Sequence, residues 1–199
     1  MSIWAIVPVK PFLQSKTRLA SKLSPEERAG LSREFLTQTL GVLTLVRAIT
    51  QIVVISRDPC ALAVAQQSGA MALTEPDHSN MNAALTYATR VAVAGGAGAV
   101  LALPTDLPLL SGEAVAELIE TDADPAVRIA PDRHATGTNA LFVRPPGLIP
   151  YAFGAGSFQR HQALAARAGV SARLCHVPAM ALDIDTPTDL HFLQMTQKI

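Results

Sequence analysis

The stretch that decides the fold is Ile3-Trp4-Ala5-Ile6-Val7-Pro8-Val9-Lys10-Pro11. From Ile3 to Val9 every residue is apolar, with no alternation, and the run is punctuated by Pro8 and Pro11. Such a run reads as a strand buried on both faces, which is the habit of parallel sheets covered by helices. The loop at its carboxyl end, Lys10 to Leu19, carries Lys10, Lys16 and Arg18. Open α/β sheets place their ligands beyond the carboxyl ends of strands, so three cations there suggest a cradle for a triphosphate. The loop contains neither a Gly-rich P-loop nor G-x-G-x-x-G, so side chains rather than backbone N–H groups would hold the phosphates. A solvated basic loop is the plainer use of the same residues.

Outward from this strand the chain alternates helix and strand. Ser24-Pro25-Glu26-Glu27 is a helix start with a capping box, and Leu36, Leu40 and Leu43 mark one helical face. A second strand is expected over Gln51–Ser56, a helix from Asp58-Pro59 to Ala65, and a third strand over 70–73. Thr74 to Ser79 reads as a turn, and an Ala-rich helix is expected over 83–94. Asn82, just before it, fits either an amide that reads a nucleotide or an N-cap. Strands follow at 99–103, 127–130 and 140–143, with a helix capped by Ser111 between the first two. A last pair of helices is expected from Phe158 and from Thr186-Pro187.

The totals bound the function. In 199 residues, 49% are hydrophobic and 16% charged, and the 16 Lys+Arg balance the 16 Asp+Glu. That describes one folded domain over 1–199 with no general attraction to nucleic acid or to an anionic membrane. Cys60 and Cys175 are too few for a disulfide framework, and the histidines show no zinc spacing. Met1-Ser2-Ile3-Trp4 lacks the basic start of a signal peptide, so a cytoplasmic location is expected.

Carboxylates mark the candidate chemistry. Asp183 and Asp185 close the apolar run Val177 to Leu182, which reads as a strand and would send both acids to one face, with Ile184 facing the core. Asp106, between Pro104 and Pro108, follows the strand at 99–103. Hard oxygen ligands at strand ends suit a Mg²⁺ ion carrying phosphates, although such acids also serve as turns and caps. Across the chain, Gly137-Thr138-Asn139 offers donors on a loop. Gly154-Ala155-Gly156-Ser157 before a helix would form an anion pocket of free N–H groups plus a hydroxyl, or a plain N-cap.

Taken in order, these pieces resemble the guanylyltransferase family of coenzyme F-420 biosynthesis. The resemblance rests on Val7-Pro8-Val9-Lys10 with Lys16-Thr17-Arg18-Leu19, Asn82-Ala83-Ala84-Leu85, and Leu103-Pro104-Thr105-Asp106-Leu107-Pro108-Leu109. It continues through Pro131-Asp132-Arg133, Gly137-Thr138-Asn139-Ala140-Leu141, Phe153-Gly154 with Gly156-Ser157-Phe158 and His161, and Leu182-Asp183-Ile184-Asp185-Thr186-Pro187. It implies an α/β three-layer sandwich with a mixed, mostly parallel sheet, like the nucleotide-diphospho-sugar transferases. It also implies transfer of GMP from GTP to a small phospho-carboxylic acid: 2-phospho-L-lactate, phosphoenolpyruvate or 3-phosphoglycerate. By resemblance Asp106, Asp183 and Asp185 would hold Mg²⁺ and serve catalysis. Lys10, Lys16, Arg18 and Asn82 would bind GTP, and Thr138, Gly154 and Ser157 the phospho-acid. One departure stands out: the family often reads Gly-Leu-Asn where this chain has Asn80-Met81-Asn82, and a Met81 in the acceptor pocket would alter which acid fits. Rival readings are a transferase acting on molybdopterin or a sugar phosphate, and a nucleotide-binding protein without turnover. The assembly state stays open, a homodimer included.

Overall fold

The structure is a computed structural model that describes residues 1–77 and 80–196. The expected turn over 74–79 therefore ends in residues, 78 and 79, that lie outside the described ones. β1 (Ile3–Val9) is buried along almost its whole length, as an unbroken apolar run requires. It is followed by α1 (Pro25–Leu45), β2 (Ile49–Ser56), α2 (Pro59–Gln67) and β3 (Met71–Thr74). Next come α3 (Met81–Ala94), β4 (Ala99–Ala102), α4 (Gly112–Ile119), β5 (Ala126–Pro131) and β6 (Thr138–Arg144). The chain ends with α5 (Ser157–Arg167), β7 (Arg173–Leu174), α6 (Pro178–Ala181) and α7 (Pro187–Thr196).

The strands form one seven-stranded sheet in the order β3-β2-β1-β4-β6-β5-β7. β1 pairs in parallel with both β2 and β4, and β2 with β3. β6 runs antiparallel to β4 and β5, while β7 lies parallel to β5. The sheet is thus mixed and mostly parallel. The chain winds from β1 outward to β3 and then returns to the other side of β1, so the winding direction reverses between β1 and β4. At that switch point the flanking loops diverge and leave a crevice.

Helices cover both faces. Alternate residues of β1 divide between two cores: Ala5 and Val7 pack with Leu36, Leu40, Val64 and Leu118, while Trp4 and Ile6 pack with Leu85, Ala88, Phe158 and Ala165. A third, smaller cluster joins Leu19, Phe35, Leu182, Ile184 and Leu193. It ties the loop after β1, helix α1, the acidic segment and helix α7 together beneath the crevice.

Local chemistry explains the helix starts. The Ser24 hydroxyl accepts from Glu27 N–H and the Glu27 carboxylate accepts from Ser24 N–H, closing the capping box. Asp58 caps α2 and also accepts from Phe12 N–H at 2.8 Å, which pins the basic loop to the sheet. Ser111 caps α4 as expected. α3 is capped by Asn80, not Asn82, and begins at Met81, two residues earlier than its Ala run suggests.

The expected strand over 177–182 is instead the short helix α6. Pro178 has no N–H for a ladder and takes the first helical position, which is where a helix tolerates proline. The Asn139 amide then donates to the carbonyls of Met180 and Ala181, at 2.8 and 3.3 Å. Beyond it, Leu182 to Asp185 joins no strand of the sheet, yet Leu182 and Ile184 are buried and Asp183 and Asp185 are partly open. The alternation survives without the sheet. Among the described residues, no helix is long and apolar enough to cross a membrane.

Candidate active site

The crevice at the switch point opens into a cleft of about 690 Å³. Lys10, Lys16, Arg18, Asp106, Asp183 and Asp185 line it, as do Thr138, Gly154 and Ser157. Of the ten residues singled out from sequence, nine meet there. The tenth, Asn82, does not line it.

Asp106 is brought to Asp183 and Asp185 by backbone as well as charge. Ile184 N–H donates to the Asp106 carbonyl at 3.0 Å, so the acidic segment is stapled to the loop after β4. Lys16 joins the acids: its Nζ lies 2.9 Å from Asp106 Oδ2 and 3.3 Å from Asp185 Oδ1. Lys16 adopts a left-handed backbone conformation, φ 52° and ψ 35°, which is costly for a residue with a side chain and is retained where surroundings demand it. Burial works against its ammonium, but the charges and hydrogen bonds of Asp106 and Asp185 outweigh that effect. Its pKa is raised above the ordinary lysine value. Arg18 Nη1 lies 3.7 Å from Asp185 Oδ2 at the exposed rim.

Asp183 is in a different position. Burial, then the charge of Asp106, pushes its carboxyl up to about 6, with Asp185 and Asp189 adding to the effect. Among the described residues no cation stands within ion-pair distance of it. A carboxylate raised by neighbouring acids and lacking a cation fits a divalent metal, and the hard oxygen donors fit Mg²⁺. The geometry is not preassembled: among the described residues no three acid, His or Cys groups already surround a common point. Lys16 holds two of the three acids to itself.

The acidic segment is held from behind by Asp189, in the first turn of α7. Its Oδ2 accepts from Asp185 N–H, Thr186 N–H and the Thr186 hydroxyl, at 3.1, 2.6 and 2.8 Å. Its Oδ1 accepts from Arg133 Nη2 at 2.5 Å. Burial would raise the Asp189 carboxyl, but the hydrogen bonds from Thr186 and Asp185 and the Arg133 charge hold it below the usual range. Arg133, from the β5–β6 loop, thus links the two halves of the cleft. Sequence offered no signal for a pair 56 residues apart.

The opposite wall is built on β6 and the start of α5. Thr138 and Asn139 belong to β6 rather than to the preceding loop. That loop folds about Asp132, whose carboxylate accepts from His134 N–H, Thr136 N–H, the Thr136 hydroxyl and Gly137 N–H. A Cβ on Gly137 would stand 2.8 Å from Asp132 Oδ2, so a side chain here would displace the carboxylate that holds the loop. Thr138 N–H donates to Ser157 Oγ at 2.8 Å, and Thr138 Oγ1 lies 2.9 Å from His161 Nδ1.

The expected pocket of free N–H groups at the start of α5 is smaller than anticipated. Ser157 N–H donates to the Gly154 carbonyl and Phe158 N–H to the Thr136 carbonyl. Gly154 (φ 114°) and Gly156 (φ 70°) are both in the left-handed region that glycine enters freely. Asn82 stands behind this wall: its Nδ2 donates to the Phe153 carbonyl at 3.2 Å, and its Oδ1 accepts from Phe153 N–H at 2.8 Å. The amide expected to read a nucleotide is committed to holding the turn. Its neighbour Met81 does line the cleft.

Comparison with known proteins agrees with this architecture. A crystal structure from Desulfovibrio desulfuricans G20, assigned to the nucleotide-diphospho-sugar transferases, superposes with a TM-score of 0.79 at 19% identity, covering 100% of this chain and 89% of that one. Glucosyl-3-phosphoglycerate synthase from Mycobacterium tuberculosis, in complex with Mn²⁺, uridine-diphosphate and phosphoglyceric acid, superposes with a TM-score of 0.61 at 13% identity, over 87% of this chain and 67% of that one. The phosphoenolpyruvate guanylyltransferase of Rubrobacter xylanophilus is 43% identical over 98% of this chain and 94% of its own. That of Sphaerobacter thermophilus is 39% identical over 97% and 93%. The family described as "Guanylyl transferase CofC like" matches residues 3–197. The chain is therefore a nucleotidyltransferase and belongs to the CofC-like guanylyl transferase family.

Proposed function

We propose that the chain transfers GMP from GTP to the phosphate of a small phospho-carboxylic acid, phosphoenolpyruvate foremost, in the cytoplasm and on the route to coenzyme F-420. One observation carries this reading. A single cleft is lined by the cations Lys10, Lys16 and Arg18, by Thr138 and Ser157, and by Asp106, Asp183 and Asp185. The choice of phosphoenolpyruvate over 2-phospho-L-lactate or 3-phosphoglycerate is supported by the names of the two relatives above.

In this reaction an oxygen of the acceptor phosphate attacks the α-phosphorus of GTP. The bond from that phosphorus to the bridging oxygen of the β-phosphate breaks, and pyrophosphate leaves. A phosphate monoester has its second pKa near 6, so the nucleophile is already largely ionised at neutral pH and needs no general base. Repulsion is the obstacle: at about 5 Å and an effective dielectric near 20, each pair of like unit charges costs roughly 3 kcal/mol. Lys10, Lys16 and Arg18 would hold the triphosphate, and Thr138, Ser157 and the Gly154 turn would hold the acceptor. Asp106, Asp183 and Asp185 would hold Mg²⁺. Bound there, the ion would neutralise charge and align attack with departure. The chain's own part is positioning and electrostatics, the expected mode for phosphoryl-type transfer.

The test is a coupled assay of pyrophosphate release, with each NTP, Mg²⁺ and each of the three acids supplied in turn. Release with GTP and phosphoenolpyruvate is the expected result. Tight GTP binding with no release in any combination would overturn the reading in favour of a nucleotide-binding protein.

A further inference from the structure

We propose that His161 is a positioning residue for the acceptor: its Nδ1–H occupies the Thr138 hydroxyl oxygen, which leaves the Thr138 proton free to be given to a ligand in the cleft, and with Ser157 this favours an ionised oxyanion there. The inference rests on the proposed acceptor site at Thr138, Gly154 and Ser157.

The starting point is a group whose role is not open. A backbone N–H can only donate, and that of Ala152 donates to His161 Nε2 at 3.0 Å. Nε2 therefore carries the lone pair, and the ring's single proton sits on Nδ1. Nδ1 lies 2.9 Å from Thr138 Oγ1, so Thr138 is the acceptor of that bond. The Thr138 hydroxyl proton must then point elsewhere, and Thr138 lines the cleft. Ser157 is set the same way: its Oγ accepts from Thr138 N–H at 2.8 Å, which leaves its own proton to give.

The arrangement is rigid. His161 is fully buried, and Thr138 and Ser157 are 6% and 1% exposed. The ring meets Phe153 edge-on with centroids 5.0 Å apart, and Phe153 is gripped at both backbone atoms by Asn82. Burial and the nearby Arg160 charge push His161 down to about 4, so the ring stays neutral at working pH. Two hydroxyls with protons free to give suit a ligand group that accepts, a phosphate dianion or a carboxylate.

Nitrogen-15 NMR of the wild-type chain reads the tautomer directly. The expected result is an unprotonated Nε2, a protonated Nδ1 and no titration near the ordinary histidine value. A proton on Nε2, or titration near 6.5, would overturn the proposal. In steady-state assays, His161→Phe and Thr138→Val should each raise KM for phosphoenolpyruvate by about tenfold or more, the worth of a hydrogen bond to a charged group. KM for GTP should stay within about twofold, and the double variant should be no worse than Thr138→Val, because one residue acts through the other. Additive losses, or an equal rise in KM for GTP, would mean that the ring only packs. Inorganic phosphate, titrated against the Thr138 and Ser157 amide signals, repeats the comparison without turnover. A wild-type chain inert toward every NTP and acid would sink the proposed reaction, while the tautomer and phosphate data would still decide the hydroxyl orientation.

Discussion

Lys16 Nζ stands 2.9 Å from Asp106 Oδ2, on a residue 90 positions away. The same ammonium reaches Asp185 at 3.3 Å, so one internal cation occupies carboxylates that a divalent metal would need. Lysine and a metal bound there would therefore compete for Asp106 and Asp185. Replacing Lys16 with Met should lower the unfolding temperature in metal-free buffer, since the partly buried Asp106 loses its 2.9 Å partner and the neighbouring acids lose the cation between them. Added Mg²⁺ should then raise that temperature more in Lys16→Met than in wild type, because the metal no longer has to displace an ammonium. Thermal unfolding with and without Mg²⁺ checks this. Equal rises in the two proteins would mean that ammonium and metal do not share their ligands.

Asp185 separates chemistry from stability. Its side chain is 44% exposed, so the ion pairs it makes contribute little to folding. Asp185→Asn should leave the unfolding free energy measured in urea within about 1 kcal/mol of wild type. It should lower kcat by about a hundredfold or more, the scale of removing one electrostatic group from a preorganised site. Comparable losses in both measurements would make Asp185 a structural residue.

Much of this site was legible in the sequence because its parts sit at local signals. The unbroken apolar run of β1, the Ser24–Glu27 box and the acids after strands each follow from neighbours within a few residues. The acids' alternation even outlived a wrong element: Ile184 is buried between Asp183 and Asp185 although no strand forms there. The errors share one cause. Pro178 and Asn139 together turn an apolar run into α6, and Asn139 is 41 residues from the carbonyl it takes. Asn82 reads from sequence as a nucleotide-binding amide or an N-cap because its partner, the Phe153 backbone, lies 71 residues away. The Arg133–Asp189 pair and the Thr138–His161–Ala152 chain are of the same kind. Pairings made by topology leave no periodic trace.

Asp189 exemplifies the hidden class. Its carboxylate accepts from two backbone N–H groups and one hydroxyl and pairs with Arg133. Asp189→Ala would strand these buried donors at a cost of roughly 1–3 kcal/mol, and would free the segment that carries Asp183 and Asp185. Asp189→Asn should recover part of the stability but less of the turnover, because an amide oxygen caps the helix without balancing Arg133. Urea unfolding and pyrophosphate release on the same samples distinguish the two effects. Full recovery of both by Asn would remove Arg133 from the account.

Met81 bears on which acid is accepted. It opens α3 and lines the cleft. A flexible thioether fills irregular space that a branched chain cannot. Met81→Leu should change the ratio of kcat/KM among phosphoenolpyruvate, 2-phospho-L-lactate and 3-phosphoglycerate by about tenfold, the usual worth of one methylene-sized difference in a pocket. KM for GTP should not move. An unchanged ratio would place acceptor selection elsewhere in the cleft.

His161 makes a pH dependence whose direction is fixed by its depressed pKa. Burial first, and Arg160 second, hold the folded ring at about 4, against an ordinary value of 6.5. Above 6.5 the ring is neutral in both states, and its contribution to stability is fully present. As pH falls from 6.5 toward 4, the unfolded chain takes up a proton that the folded chain refuses, and stability is lost throughout that window. Below about 4 the folded ring also titrates and this loss levels off. The total is roughly 3 kcal/mol for a shift of this size. In His161→Phe the slope of unfolding free energy against pH should flatten across that window, even though the variant is less stable at neutral pH for want of a partner to Ala152 N–H. Urea unfolding at a series of pH values measures both slopes. If they are the same, His161 takes up its proton alike in both states, and the locked neutral ring is wrong.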